Sequence, residues 1–555
     1  MVSGICKKCA VFSRLRANFF VFAIFMLIFS FNLGMRIYYG SQKTDLYVDE
    51  VFNFPEIFQR LDAINGYLPE KEYTGLSIKS DFVVKTGLFT TIKNVSALWK
   101  DNKDVFHANL YYVLLSFSCM NVETADFQAA IQRALILNYI LFSAAFFCFF
   151  MLLNLLFPDN MAACLSILFC FFTNAVSITM TLFLREYQLQ SMMLVIFLYY
   201  AVKTYDNDIY AAKKIFGRQW FYMVLITSLL FSTGYLTLLF VVIFGFYVLY
   251  DKIYYNDKYR EFFYYFSVPL SALALSKIMC LNFLNVYFKK YSLNPKSSNP
   301  DYIAGNLIVS IKSFFVWLNI YLSPFFCFVF LFSLIILILF RAFKIKMPKF
   351  VIFIVFSCLF LSVLNITVLD YKHFRYIMPY LPFFVFLPSM LIAALNRRFK
   401  YAHVLAFVLF SSFFMFSTLE KNNIASVRHD LKDKYAFINN PDTPSCFYFL
   451  KDKYLYLHHY CFIEFAQFLQ NDQKCLFLND YSRLQNVPYK KFYFISDDFA
   501  LVDYKLIENQ GFKINFKKIY RFMPDDVKNS VMGYNKSNYV VFEIENILKE
   551  ADFYD

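Results

Sequence analysis

The chain has 555 residues, of which 59% are hydrophobic, 22% aromatic and only 17% charged, with a formal net charge of +14. Soluble domains carry about 25% charged residues, so this balance excludes an ordinary soluble enzyme. The positive excess does not point to nucleic acid either, because Lys and Arg gather in short loops between apolar runs, where they set topology and meet anionic lipid.

Several apolar runs reach the roughly 18 residues or more that a helix needs to cross a hydrocarbon core of about 30 Å. Helices satisfy their own backbone in lipid, and these runs lack the polar–apolar alternation of a membrane barrel. The fold class is therefore a polytopic α-helical membrane protein.

In chain order, Lys7, Lys8, Arg14 and Arg16 precede an apolar run from about Ala17 to Leu33. The run is long and no small-x-small cleavage site follows, so it reads as a retained first helix. Its basic flank puts the N-terminus in the cytoplasm. Residues 39–128 form a long mixed segment, a large first extracytoplasmic loop with interfacial helices. Within it "HANLYYVLLSFSCM" (107–120) is apolar but short, suited to lying along the interface. Apolar runs follow at 129–157, 160–183, 187–202, 219–250, 262–285, 311–341, 349–369, 376–395 and 401–418. The 219–250 run is too long for one crossing and splits at Gly234. The thickness rule then predicts about 11 transmembrane helices.

The loops test this order. "KTYDNDIYAAKKIFGR", "DKIYYNDKYRE", "RAFKIKMPK" and "NRRFK" fall on the cytoplasmic side and are basic, as the positive-inside rule requires. The "LREYQ" corner at 184–188 and "LDYKHFRY" at 369–376 fall outside. "KKYSLNPKSSNPDY" (289–302) also falls outside and breaks the trend, being basic. An odd number of spans leaves the tail outside too. From about 431 strand-like "CFYFL", "KCLFLND", "KKFYFISDD" and "NYVVFEIE" alternate with helix-like "IEFAQFLQND", a small C-terminal α/β domain of ordinary size. The expected division is a transmembrane catalytic part over 1–420 and an extracytoplasmic α/β domain over 421–555. No Gly-rich nucleotide fingerprint, Walker loop or HExxH is present. The 12 Cys lie mostly in apolar runs, where Cys acts as a small hydrophobe. Cys6 and Cys9 have CxxC spacing with nothing nearby to complete a zinc site. Cys446, Cys461 and Cys475 lie in the tail, where disulfides form if it is extracytoplasmic.

Polar clusters meet on the expected outer side. Asp49 and Glu50 follow the first helix, His107 opens the interfacial segment, Arg185 and Glu186 sit at a helix corner, and His373 and Arg375 precede a late helix. Each has an ordinary reading. Acids at helix ends sit in water, an Arg–Glu neighbour pair at a tight corner is commonly solvated, and a lone His or Arg there is a surface or interfacial group. Together they suit one chemistry. A carboxylate at the membrane surface accepts a proton from an acceptor hydroxyl or amine, and Arg and His hold a phosphate leaving group and offset its charge.

The order of these segments resembles the GT-C superfamily of polyprenyl-phosphate-sugar glycosyltransferases, in the protein O-mannosyltransferase branch that includes the lipid A aminoarabinose transferases. An Asp-Glu pair after the first helix is matched by "VDEVF". The family's H-P-P-L-Y-Y segment is matched by "HANLYYVLLSF", with Ala108 and Asn109 in place of the prolines. Its Q-E-A-R-M-Y motif is matched in altered form by "LREYQLQSMML", and its late R-Y-L-L-P-L-L-P by "HFRYIMPYLPFF". The likeness covers roughly 17–420. It implies an inverting transferase of the cell inner membrane, taking its sugar from a polyprenyl-phosphate donor to a lipid A, glycan or protein acceptor. Asp49 would be the catalytic base or acceptor-positioning carboxylate with Glu50 beside it, and Glu186 the second acid. His107, Arg375, Arg185 and His373 would bind the donor phosphate. The reading needs no metal or other cofactor where Arg375 and His107 carry that charge. The lack of a Trp-Trp-Asp motif, with 3 Trp in all, sets aside the oligosaccharyltransferase branch. A transporter or lipid flippase for a glycolipid, and a scaffold without activity, stay open as alternatives. Scarce Gly, absent repeats and the large asymmetric first loop fit a transporter less well.

Overall fold

The computed structural model describes residues 2–43, 46, 48–64, 67–68, 70–100, 109–158, 160–206, 217–234, 236–256, 259–279, 349–368, 376–387, 443–448, 466–478, 481–496, 504–509, 511–521 and 538–546, with isolated positions in 307–318 and 408–415. The described helices are α1 (Val2–Ser41), α2 (Val48–Val51), α3 (Asn53–Ile57), α4 (Leu61–Ile64), α5 (Gly75–Phe82), α6 (Leu88–Lys100), α7 (Asn109–Ser118) and α8 (Phe127–Leu156). They continue with α9 (Met161–Phe172), α10 (Ala175–Leu182), α11 (Tyr187–Asp206), α12 (Arg218–Phe231), α13 (Leu236–Asn256), α14 (Tyr259–Met279), α15 (Lys349–Val368) and α16 (Tyr504–Asn509). The strands are β1 (Glu72–Thr74), β2 (Ser445–Tyr448), β3 (Lys474–Leu478), β4 (Lys491–Ser496), β5 (Phe512–Arg521) and β6 (Asn538–Asn546).

The chain forms two compact units. The first comprises 1–42, 105–111 and 135–427; the second comprises 43–104, 112–134 and 428–555. Residues 428–555, within the span 421–555 expected as a C-terminal domain, are the last of the three stretches that build the second unit.

The first unit is helical. Among the described residues two helices are long and apolar enough to cross a membrane, Phe19–Ser41 of α1 and Phe127–Leu156. The bent pair α9 and α10 makes a third if counted as one span, and Leu236–Tyr250, Phe266–Ile278 and Lys349–Leu364 are apolar but shorter. The expected runs at 311–341 and 401–418, and the 388–395 part of the one at 376–395, lie almost wholly outside the described residues. The run expected as one crossing at 160–183 is instead broken, its halves bent by 57°. The break is chemical: the Asn174 side chain accepts from Ser177 N at 2.9 Å and donates to Phe171 O at 2.7 Å. A short polar side chain bonding its own backbone competes with helix continuity. The split expected at Gly234 does occur, between α12 and α13. A Cβ there would meet Gln190 Nε2 at 2.2 Å, while that amide donates to Thr233 O at 3.0 Å. Pro269 lies inside α14, where its ring removes one helical donor and leaves a carbonyl one turn earlier without its usual partner.

Apolar surface gains little by leaving lipid, so membrane helices associate through close packing. The aromatic excess supplies it here. Phe25 and Phe29 pack on Phe146 and Phe147, and Phe149 stacks against Phe171 at 4.0 Å between centroids. Phe383, in the expected "YIMPYLPFF" segment, and Phe386 just beyond it close on Phe149. That segment turns at Ile377–Tyr380 and continues as a 3-10 helix over Leu381–Val385, all of it buried.

The second unit is built on a six-stranded sheet of order β1-β3-β2-β4-β6-β5. β2 runs parallel to β3 and β4, and the other neighbours are antiparallel. One face buries Leu476, Leu478, Phe492, Phe494 and Ile544 with Leu484, Ile507 and Phe512. Phe477 faces the other way and is still buried, because Tyr67 stacks on it at 4.7 Å. Hence β3 is apolar over nearly its whole length, as strands covered on both faces are. Cys475 is a free buried thiol, so the disulfide expectation is not met there, and burial pushes its pKa well above the ordinary thiol value. Of the helix expected over 463–472, residues 463–465 lie outside the described residues, Ala466 is helical and turns follow from Gln467. The interfacial helix expected at 107–120 forms as α7, but Tyr111, Tyr112 and Leu115 are buried at 1% exposure or less. The same helix leaves Phe117 42% exposed, so it has a buried face and an open one.

Candidate functional site

Asp49 and Glu50 lie on α2, seven and eight residues beyond the last described turn of α1 at Gln42. The backbone of Asp49 is placed on that helix. Glu50 is buried, and its Oε2 accepts from Lys43 Nζ at 3.0 Å, the two side chains being 0% and 1% exposed. An acid at a solvated helix end needs no such partner. A buried carboxylate does, because desolvation of a lone charge costs several kcal/mol. Asn53 and Glu56 follow on α3, both buried.

This stretch is fastened from the far end of the chain. Gln467 accepts from Leu46 N at 2.8 Å and donates to Leu46 O at 3.0 Å. A primary amide meeting both groups of one residue mimics a strand pair, so the backbone of Leu46 is held at both its polar groups. The polar first segment is held further along as well. Gly75 N donates to Gln473 O at 2.8 Å, Leu76 N to Asn471 O at 2.9 Å and Lys79 Nζ to Asn471 Oδ1 at 3.1 Å. Partial burial lowers the Lys79 pKa. Arg483 pairs with Glu70.

Arg185 and Glu186 occupy the turn between α10 and α11. They are 4% and 5% exposed, with Arg185 Nε 3.7 Å from Glu186 Oε2. The solvated corner that such neighbours ordinarily make is not what forms here. Gln188 reaches back to Thr181 Oγ1 at 2.8 Å, and Asn138 of α8 donates to Thr181 O at 2.8 Å and Phe183 O at 3.2 Å. Carbonyls left unpaired at the end of α10 are thus satisfied by one side chain of α8, while the Thr181 hydroxyl donates to Gln188 of α11.

Below that corner stands a cation not expected to have a role, Arg36 of α1, at 0% exposure. Its Nε donates to Thr181 Oγ1 at 2.9 Å, Nη2 to Ser177 Oγ at 2.8 Å and Phe172 O at 3.1 Å, and Nη1 to Asn32 O at 3.0 Å. The guanidinium also lies 3.9 Å from the centroid of Phe142. Phe172 O is a carbonyl freed by the α9–α10 break, so Arg36 caps the bend. Asn32 supports it by accepting from Thr173 Oγ1 at 3.0 Å. The ion sits within an apolar helix with its hydrogen bonds going to neutral acceptors, an arrangement costly enough to need all of them.

Of the expected site residues, Glu50, Arg185 and Glu186 are therefore buried and ion-paired, Arg185 and Glu186 with each other. Glu50 belongs to the second unit; Arg185 and Glu186 belong to the first. The side chain of Asp49, and His107, His373 and Arg375 entirely, lie outside the described residues. Lys43, Glu56, Gln467 and Arg36 were missed. The i, i+4 spacing of Asn32 and Arg36 along one apolar helix was the available signal for that pair. Lys43 and Gln467 gave none, since a single Lys or Gln in a polar segment is unremarkable. Among the described residues no group of three or more His, Cys, Asp or Glu is arranged to hold a metal ion.

No family model matches the chain, and no curated protein matches it. Among solved structures it is similar to ArnT from Cupriavidus metallidurans bound to undecaprenyl phosphate, with a TM-score of 0.46 and 9% identity, over 95% of this chain and 97% of that one.

Proposed function

We propose that this chain is an integral-membrane glycosyltransferase that moves a sugar from a polyprenyl-phosphate donor to an extracytoplasmic lipid, glycan or protein acceptor, with inversion. The observation that carries the reading is the acid pair on α2, directly after the first apolar helix, with Glu50 buried and neutralised by Lys43. Lys43 compensates Glu50, and the base role falls to Asp49. Further support comes from the buried Arg185–Glu186 corner and from the order of "VDEVF", "HANLYYVLLSF", "LREYQLQSMML" and "HFRYIMPYLPFF" along the chain.

In this mechanism the Asp49 carboxylate takes the proton of the acceptor hydroxyl or amine as the acceptor attacks the anomeric carbon. The carbon–oxygen bond to the carrier phosphate breaks on the opposite face, so the configuration inverts. Arg375, His107, Arg185 and His373 stabilise the departing phosphate by charge-assisted hydrogen bonds. Glu186 is the second acid. The N-terminus is cytoplasmic, and the catalytic face and C-terminal domain are extracytoplasmic in a bacterial inner membrane.

The test compares envelope glycans and lipid A, by mass spectrometry, from cells with the native chain, without it, and with Asp49→Asn. The sugar modification should be lost in both altered strains, with the variant still present in the membrane. Full modification by Asp49→Asn refutes the assignment. The broken α9–α10 pair favours one second reading, a glycolipid flippase, because interrupted helices recur at transporter sites. A flippase would move intact donor lipid across vesicles and form no new glycosidic bond.

A further inference from the structure

The first turn of α11 carries a side chain whose amide nitrogen neither the fold nor the proposed mechanism uses. Gln188 is 2% exposed. Its Oε1 accepts from Thr181 Oγ1 at 2.8 Å, and Thr181 Oγ1 in turn accepts from Arg36 Nε at 2.9 Å. The Gln188 Nε2 has no hydrogen-bond partner among the described residues. It is not one of their sealed, unpartnered polar atoms either, so it keeps access to open space. A buried amide that spends its acceptor on the fold and keeps its donors unused is held ready for something that accepts.

Three interruptions of the helices meet around this turn, all within the first unit. The first is the α10–α11 corner itself. The second is the break between α12 and α13, where Thr233 O accepts from Gln190 Nε2 at 3.0 Å. The third is the start of α7, where Leu110 N donates to Ser232 O of that same break at 3.3 Å. Tyr111 ties α7 back to the corner. Its hydroxyl donates to Asn138 Oδ1 at 3.3 Å, and the Asn138 amide holds the last carbonyls of α10. Interrupted backbone inside a membrane bundle persists where it is buried in protein or lines a cavity.

Arg36, Thr181 and Gln188 form a chain of donors that points one way. Arg36 gives an N–H to Thr181, Thr181 gives its O–H to Gln188, and the Gln188 N–H is left to give. Linked hydrogen bonds polarise one another, and a cation stands at the closed end. The open end therefore favours an anion. The N-terminus of the 20-residue α11 adds partial positive charge at the same place. We propose that the Gln188 amide donates to a phosphate oxygen, and that Arg36, itself sealed from any ligand, acts on that contact as a positioning residue through Thr181. The proposal deepens the reading of a polyprenyl-phosphate donor and rests on it.

Native mass spectrometry of the full chain in detergent measures binding of undecaprenyl phosphate, of undecaprenol, which lacks the phosphate, and of phosphatidic acid. Gln188→Leu should weaken undecaprenyl phosphate by at least about tenfold, as loss of a hydrogen bond to a charged group predicts, and leave undecaprenol unchanged. Thr181→Val keeps the shape and removes the hydroxyl, so it should weaken the phosphate in the same direction. Thr181→Ser keeps the hydroxyl and removes the methyl, so it should bind like the native chain; a packing role would reverse that order. Where Gln188→Leu does not fold, Gln188→Glu decides, because a carboxylate there should repel the phosphate. Equal affinity of the native chain and the Gln188 variant for undecaprenyl phosphate overturns the proposal while the donor reading stands. Native-like binding by Thr181→Val overturns the role of Arg36. If the native chain does not bind undecaprenyl phosphate, the donor reading falls, and the proposal falls with it unless phosphatidic acid shows the same dependence on Gln188.

Discussion

Lys43 and Glu50 illustrate how a buried ion pair differs from a surface one. Removing one partner leaves the other charge in a low-dielectric site, whereas removing both leaves only a packing problem. Lys43→Met should therefore destabilise the second unit by about 3–5 kcal/mol, and Lys43→Met with Glu50→Leu should recover most of that loss. Thermal unfolding of the detergent-purified protein checks it; equal loss in the single and double variants would show that the pair is not the cause. Arg36 belongs to the same scale, but its partners are neutral and several. Arg36→Lys should rescue little of what Arg36→Met loses, since one ammonium cannot reproduce the planar fork that reaches Thr181, Ser177 and Phe172 together. Gln467 offers a kinetic test. Its two bonds to Leu46 position the backbone next to Asp49, so Gln467→Leu should lower kcat for transfer by about tenfold with KM nearly unchanged. A change confined to KM would remove the positioning role.

At the scale of elements, the close approaches are the sharpest constraints. A Cβ on Gly40 would lie 1.9 Å from Tyr139 Oη of α8, and one on Gly75 would lie 1.9 Å from the Gln470 carbonyl. The first obstacle is the end of a side chain and the second is backbone. Gly40→Ala should cost about 1–3 kcal/mol and be partly relieved by Tyr139→Phe, while Gly75→Ala has no comparable rescue. Thermal unfolding of the paired variants separates the two. The edge strand β1 carries a pH signature. The Tyr489 hydroxyl, and then Lys474, hold the Glu72 carboxyl below its usual range. A depressed pKa means this contribution is present above the unfolded-state value and is lost as pH falls through the folded one. Glu72→Gln should flatten that acid-side decline, by less than about 1 kcal/mol because the group is well exposed.

Legibility also divides by element. The helix break at Gly234, the corner at 184–186 and the strands holding "CFY", "KCLFL", "KFYFIS" and "NYVVFEIEN" were readable, because each is announced locally by length, a breaker or β-rich composition. The bend at Asn174 was not, because its cause is a side chain folding onto its own backbone inside an unbroken apolar run. The burial of Glu50, Arg185 and Glu186 was not readable either. It depends on Lys43, Thr181 and Asn138 arriving from elsewhere, and residue type alone assigns such groups to water.

For the molecule as a whole, the second unit depends on stretches far apart in the chain. β1 has its pairing partner in β3, and Gly75, Leu76, Lys79 and Glu70 all bond to residues beyond 470. A chain ending at 442 should consequently expose 43–100 to protease, with cleavage at least about tenfold faster than in the full chain, as loss of cooperative burial predicts. Unchanged protection would mean that this segment is stable without the sheet.

The distance between β1 and β3 has one more consequence, in the order of synthesis. A nascent chain emerging at about 5–20 residues per second would wait tens of seconds between translating 72–74 and 474–478. During that interval the stretch bearing Asp49 and Glu50 belongs to a unit that still lacks β3 and Gln467. The unit that carries the acid pair therefore matures only after the ribosome has nearly finished, and β1 stays without its partner strand until then.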